Sequence, residues 1–295
     1  MRWIVGIDFN DRSGGALHMA AWMREHAANG SPQEVVAVHV LPEHIRTLMV
    51  QEATLDAPAM ALDNIRGLLA QSGLDNPFVG VFADWANTAE EGLALAAATP
   101  EVTGIIIGRV SGRDARGFSR LGRVARRLLR RLPAPVMVVP PDLQLADVGK
   151  GPVVLATDLD PASVPAAEMA RDLAAALGRE LLVVCVDETL YRVPAFSPDA
   201  IVPLTLLERR TNDELLAWSR ARGLDSARVQ LCEGERVTAL TSVAREHDAA
   251  LVVCGSRCLS LGERIFASST ASELARRCDR PVLVVPARTS ETTHP

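Results

Sequence analysis

The chain is written twice. Residues 3–23 read WIVGIDFNDRSGGALHMAAWM and residues 153–173 read VVLATDLDPASVPAAEMARDL. In each, an apolar run meets an Asp, four residues intervene, a Ser follows, and an Ala-rich stretch begins. The pairs are Asp8 with Ser13 and Asp158 with Ser163. The halves also close alike, APVMVVP at 134–140 and RPVLVVP at 280–286. A chain whose openings and endings both recur is two copies of one domain, and each copy must bury its own core.

The order of elements recurs between those ends. Short Val/Ile/Leu-rich runs near 3–8, 34–40, 78–83, 104–107 and 136–139 match runs near 152–157, 180–186, 227–232, 251–254 and 282–285. They are continuous rather than alternating, as parallel strands covered on both faces require. Helical stretches separate them, near 14–28, 57–71, 88–98 and 122–131, then near 163–177, 204–221, 236–246 and 269–277. Ser13 and Ser163 stand where N-caps belong. The expected fold is α/β, with two tandem, open, doubly wound, parallel five-stranded sheets. The expected domains are 1–140 and 152–287, with a Pro- and Gly-punctuated linker at 141–151 and an aperiodic tail at 288–295.

The 295 residues suit about two domains. A formal charge of −5 gives no argument for nucleic acid as partner, and the arginine cluster has no matching patch in the second half and no aromatic–basic interleaving, so nucleic acid is not the expected partner. No apolar stretch reaches the roughly 18 residues of a membrane span. The N-terminus enters a strand without the tripartite pattern of a signal peptide, so a cytoplasmic location is expected. Five cysteines, all in the second half, read as free thiols rather than a disulfide framework.

Ligands of open parallel sheets sit beyond the carboxyl ends of the strands. Asp8 and Asp158 follow the first strands of their halves, where a carboxylate can accept hydrogen bonds from a base or a ribose. The same residues also suit capping of a turn. His39 lies near the end of the second strand. After the fourth strand come Gly108, Gly112, Gly117 and Gly122, in neither the Rossmann nor the P-loop pattern. Such a loop, with the helix start after it, can hold phosphate on backbone N–H groups. Nine arginines crowd residues 109–131. Arg113, Arg116 and Arg123 are candidates for phosphate, while those at 126–131 read as a solvated helix face. In the second half Gly255 keeps the turn, and Cys258, Ser268 and Ser269 follow. Thr270 and Glu273 there fit a capping box. Cys254 and Cys258 flank that turn without a metal-binding spacing, and no cluster of His and Cys indicates a metal. No nucleophile elbow, zinc-protease motif or catalytic triad is present, so a binding role is favoured over an enzymatic one.

The repeat and its glycines resemble the universal stress protein family in its tandem two-domain form, over about 2–140 and 152–286. That family's nucleotide-binding members carry Gly, two residues, Gly, nine residues, Gly and then Ser or Thr. Here Gly108, three residues, Gly112, nine residues and Gly122 precede Arg123 and Val124. The first gap is one residue longer, and Arg123 replaces the hydroxyl. In the second half Cys258 and Ser268 stand at glycine positions and Ser269 keeps the hydroxyl. The resemblance implies an adenine-nucleotide alpha-hydrolase-like sheet of order 3-2-1-4-5. It also implies ATP, with Mg2+, in the first half and an altered second site at Asp158, Gly255, Cys258, Ser268 and Ser269. Together with the residue-level candidates His39 and Arg113, the nucleotide residues expected are Asp8, His39, Gly108, Gly112, Arg113, Gly122, Arg123 and Val124. It further implies pairing through the last strand, as an intramolecular pseudo-dimer or a homo-oligomer, and a stress-associated regulatory role with a protein partner. The alternatives are a nucleotide-independent scaffold or interaction module and a weak ATP hydrolase.

Overall fold

The structure is a computed structural model describing residues 1–9, 13–28, 30–44, 46, 56–74, 78–113, 119–188, 201–256 and 270–287, with side chains at all of these except 111–113, 119–120 and 201–210. The chain divides into two compact units. One comprises Met1–Val148 with Ala176–Gly178; the other comprises Gly149–Ala175 and the described chain from Arg179 onward.

The first unit contains β1 (Arg2–Gly6), α1 (Ser13–Glu25), β2 (Glu34–Pro42), α2 (Ala57–Gln71), β3 (Gly80–Ala86), α3 (Ala89–Ala97) and β4 (Val102–Gly108). It continues with β5 (Val110–Arg113), β6 (Ser119–Arg120), α4 (Arg123–Arg131) and β7 (Val136–Val139). Its sheet neighbours run β7-β4-β1-β2-β3, every pair parallel. The chain thus winds outward from β1 through β2 to β3, then returns to the other side of β1 for β4. Strand direction and order therefore leave a crevice between β1 and β4, at their carboxyl ends.

The second unit contains β8 (Val153–Thr157), α5 (Val164–Ala176), β9 (Leu181–Asp187), α6 (Ile201–Arg220), β10 (Arg228–Glu233), α7 (Arg236–Glu246), β11 (Leu251–Ser256), α8 (Thr270–Arg277) and β12 (Val282–Pro286). Its neighbours run β10-β9-β8-β11-β12, again all parallel.

Strands β7, β8 and β12 are buried throughout or nearly so. That is the cause of their uninterrupted apolar runs. The edge strands beside β2 and β9 depart from this. β3 and β10 alternate or are half-exposed, and Phe82 on β3 is 59% exposed. An edge strand has one covered flank fewer, so its sequence tolerates Asp84, Gln230 and Glu233. In the first core Trp3 is fully buried, and its indole N–H donates to Gln33 Oε1 at 3.1 Å. Gln33 in turn donates to Ser31 O at 2.9 Å, so this buried polar pair is satisfied.

Local signals set the helix ends. Asp56 accepts from Ala59 N at 3.2 Å and precedes a Pro in the first turn of α2. Thr88 caps α3, whose first turn carries Glu90 and Glu91. Helix α4 stops where Leu132 turns left-handed, φ 41°, ahead of Pro133. Gly15 in α1 serves a different need, since a Cβ there would lie 1.9 Å from Pro140 O. Two expected caps take another form. Ser13 is already the first residue of α1, and Ser163 closes a 3₁₀ turn, Pro161–Ser163, that Asp160 caps. Both hydroxyls turn back to the Asp five residues earlier instead, Ser13 to Asp8 and Ser163 to Asp158.

Between β4 and α4 the expected glycine loop contains a short antiparallel hairpin, with Val110 opposite Arg120 and Arg113 opposite Ser119. Among the described residues no helix is long and apolar enough to cross a membrane.

Candidate functional site

The crevice of the first unit is a cleft of about 420 Å³. Its lining joins the ends of β1, β2 and β4 to the starts of α3 and α4. It includes Asp8, His39, Gly108, Gly122, Arg123 and Val124, six positions the sequence singled out. Gly112 lies within β5, and the side chain of Arg113 is outside the described residues, as are Arg116 and Gly117.

Asp8 is fixed by a tight local ring of bonds. Its backbone N–H donates to Ser13 Oγ at 2.9 Å. Ser13 Oγ lies 2.8 Å from Asp8 O and 3.0 Å from Asp8 Oδ1, both of which can only accept. Asp158 repeats the device, with Ser163 Oγ donating to its Oδ1 at 2.7 Å. The Asp–Ser pairing visible in the sequence is therefore a contact in both units. It shapes the turn and sets one carboxylate at the cleft of each.

His39 points its Nδ1 at Ile7 O, 2.8 Å away. A carbonyl oxygen accepts only, so Nδ1 carries the proton and Nε2 of the neutral ring is an acceptor. The Phe9 ring packs on the imidazole, with centroids 4.3 Å apart. Phe9 was not a sequence candidate, although its place directly after Asp8 puts it at the same strand end.

The opposite end of the cleft is basic and backbone-lined. Gly122 is the N-cap of α4, extended and without a side-chain cap bond, and Arg123 is the first helical residue. A helix start presents N–H groups and a partial positive charge. A Cβ at Gly122 would come within 2.8 Å of Val110 Cγ2. The start of this helix is tied to α3 by an ion pair between Arg127 and the buried Glu90. Burial alone would raise the Glu90 carboxyl. Its backbone bond, the Arg127 guanidinium and Thr88 outweigh this and hold it below the ordinary value. Arg127 makes this pair from the exposed face of α4, where Arg126, Arg130 and Arg131 are also exposed, as the sequence suggested for residues 126–131. Arg109, by contrast, is buried.

The second unit has the same framework and a different interior. Asp158 and Gly255 line a pocket of only about 80 Å³, together with Ser163, Cys254, Arg236 and Thr270. An adjoining open groove of about 560 Å³ is lined by Asp158, Cys185, Asp187, Glu188, Thr211, Glu214 and Arg236. Cys258, Ser268 and Ser269 lie outside the described residues. Thr270 begins α8, and Glu273 pairs with Arg276 rather than with a described helix start.

The four described cysteines are free. Burial pushes the Cys254 thiol up to about 12. Burial, with Asp187 and Asp158, pushes Cys185 up to about 11. Neither is a thiolate at neutral pH. Among the described residues no group of three or more His, Cys, Asp or Glu is placed to hold a metal ion.

The universal stress protein family model matches residues 1–140 and again 151–286. No curated protein matches the chain in sequence. A universal stress protein structure from Archaeoglobus fulgidus DSM 4304 is 18% identical, with 97% of this chain and 98% of that chain covered and a TM-score of 0.61. A universal stress protein structure from Pseudomonas aeruginosa UCBPP-PA14 is 16% identical over 97% and 92%, with a TM-score of 0.64. At these identities the likeness is one of fold. With the family model covering nearly the whole length in two adjacent copies, the chain belongs to the universal stress protein family, one family domain in each half.

Proposed function

We propose that the first unit binds an adenine nucleotide, ATP with Mg2+, and that the protein is a stress-associated regulator rather than an enzyme. The observation that carries this reading is the first unit's cleft. It has the position a doubly wound sheet offers to ligands, a volume within the roughly 300–1,000 Å³ of small-molecule sites, and an acid and an imidazole facing a glycine-capped helix start. The family's sheet order agrees with the strand neighbours of each unit.

In this reading base and ribose lie at the Asp8, Phe9 and His39 end. Asp8 accepts from a sugar hydroxyl or base amine, and the His39 Nε2 acceptor suits an amino group. The polyphosphate lies at Gly108, Gly122 and Arg123. Backbone N–H groups at the start of α4 hold its oxygens, and Arg123 takes the place of a hydroxyl contact with a full charge. Gly112 and Arg113, at the hairpin beside it, complete the phosphate end. Mg2+ would be held through phosphate oxygens and water, with Asp8 the nearest carboxylate of the lining.

Native mass spectrometry of the full chain, titrated with ATP and Mg2+, tests the reading. One nucleotide per chain is expected. No adduct at millimolar nucleotide would refute it. That result would favour a nucleotide-independent interaction module, for which the exposed apolar side chains Phe82 and Val79 beside the edge strand are the supporting observation.

A further inference from the structure

The two units differ at a pair of positions that neither the repeat nor the glycines drew attention to. In the first sheet Val5 pairs with Ala37, and in the second Leu155 pairs with Val183. Counting along the strands from those pairs sets His39 opposite Cys185 and Pro42 opposite Glu188 in the two units' equivalent frames. The third major helix of each unit begins at Ala89, capped by Thr88, or at Arg236, capped by Glu235. The methyl of Ala89 and the ring of Pro42 line the open first cleft. Their counterparts in the second unit are a long cation and a carboxylate.

These two side chains meet. Arg236 Nη2 lies 3.3 Å from Glu188 Oε2, and the Arg236 backbone N–H points to Glu188 Oε1 at 3.4 Å. Arg236 lines both the 80 Å³ inner pocket and the 560 Å³ outer groove, as do Asp158 and Val186, so it stands where the two meet. The inner pocket retains Asp158, Ser163 and Gly255, the counterparts of Asp8, Ser13 and Gly108. What remains of the second site therefore adjoins the arginine.

We propose that Arg236, anchored by Glu188, is a plug that closes the second unit's cleft and confines nucleotide to the first unit. The proposal rests on the nucleotide reading of the first unit. Among the described residues, the outer groove through which a polyphosphate would approach is lined by Asp158, Asp187, Glu188 and Glu214 beside Arg236. Both partners of the pair are partly exposed, 39% and 30%, so the pair is weakly stabilising in itself. Its effect is steric and positional, and one substitution is enough to remove it.

The test uses the full chain and two readouts. Arg236→Ala is compared with the parent by site-resolved maleimide labelling and by ATP stoichiometry in native mass spectrometry. Glu188→Gln, which releases the anchor and keeps the arginine, guards against a folding defect. Cys254 lines the inner pocket, whereas the half-buried Cys232 on β10 lines neither the pocket nor the groove. The expected result is labelling of Cys254 faster by about tenfold with Cys232 unchanged, and a rise from one bound ATP to two. An unchanged Cys254 rate overturns the plug. Faster labelling with the count still at one overturns Arg236 as the element that excludes nucleotide. If neither parent nor variant binds ATP, the reading of the first unit fails, and the labelling rate alone decides whether Arg236 closes the cleft.

Discussion

The two units share a backbone plan and differ in what it encloses. Both wind five parallel strands in the same neighbour order, and both fasten an Asp after the first strand to a Ser at the next turn. Yet one has a single cleft of about 420 Å³ at its strand ends, and the other divides that place into a pocket of about 80 Å³ and a groove of about 560 Å³. The fold resides in buried strand positions, which both copies fill with Val, Ile, Leu and Ala. The site resides in a few positions at strand ends and helix starts, where side chains add little to the core. Replacing Ala89 and Pro42 by Arg236 and Glu188 changes the cleft and leaves the sheet register intact. A duplicated domain can therefore keep its architecture in both copies while the space at its strand ends differs.

Substitutions that act on one copy break this comparison most sharply. The largest effect is expected from Gly15→Ala. The helix gains about 1 kcal/mol in propensity, but the new Cβ meets Pro140 O at 1.9 Å. A net loss of about 3 kcal/mol is expected, read from urea unfolding; the corresponding turn of the second unit holds Pro165 and needs no glycine. A neutral result would mean that the α1 approach to Pro140 relaxes freely.

Next is the buried carboxylate of the first unit. Arg127→Ala leaves Glu90 without its cation and is expected to cost about 2 kcal/mol. The pH dependence has a definite sign. Glu90 titrates lower in the fold than in the unfolded chain. Its contribution is complete above the unfolded value and disappears as pH falls through the folded one. The stability gap between the parent and Glu90→Gln should therefore narrow in acid; a gap that widened would reverse the assignment.

A third prediction concerns ligand rather than stability. Arg123→Ala should weaken ATP binding about tenfold, equivalent to about 1.4 kcal/mol, measured by calorimetry with unchanged melting temperature. Unaltered affinity would remove Arg123 from the phosphate end and leave the backbone of α4 as the anion contact.

The smallest effect sharpens the likeness. Ser13→Ala and Ser163→Ala should each destabilise by about 1 kcal/mol, because each hydroxyl serves the same turn. Losses differing by more than about 0.5 kcal/mol would show that the two turns are not the same device.

Much of this was legible in residue order. The strand and helix sequence followed from apolar runs separated by amphipathic stretches, since burial on both faces leaves a one-dimensional trace. Asp8 and Ser13 were paired because the spacing recurred in the second half. The hairpin of β5 and β6 was not legible, since two short antiparallel segments in an Arg- and Gly-rich loop carry no apolar period. Glu90 was missed because a Glu in a first helical turn is ordinarily a solvated dipole partner. Only packing against α4 made it a buried partner of Arg127.

By itself, then, the sequence determined two copies of an α/β domain, the strand ends at which a ligand can sit, and the altered letters of the second copy. Those are local or periodic properties, written in neighbouring residues. The tertiary structure decided which letters meet. It placed His39 on Phe9 and Ile7 O, Arg127 on Glu90, and Arg236 on Glu188. Each of these contacts joins residues from separate elements, and the space left between side chains depends on all of them together. Cleft volume is a property of packing in three dimensions, so no motif within one strand or one helix encodes it.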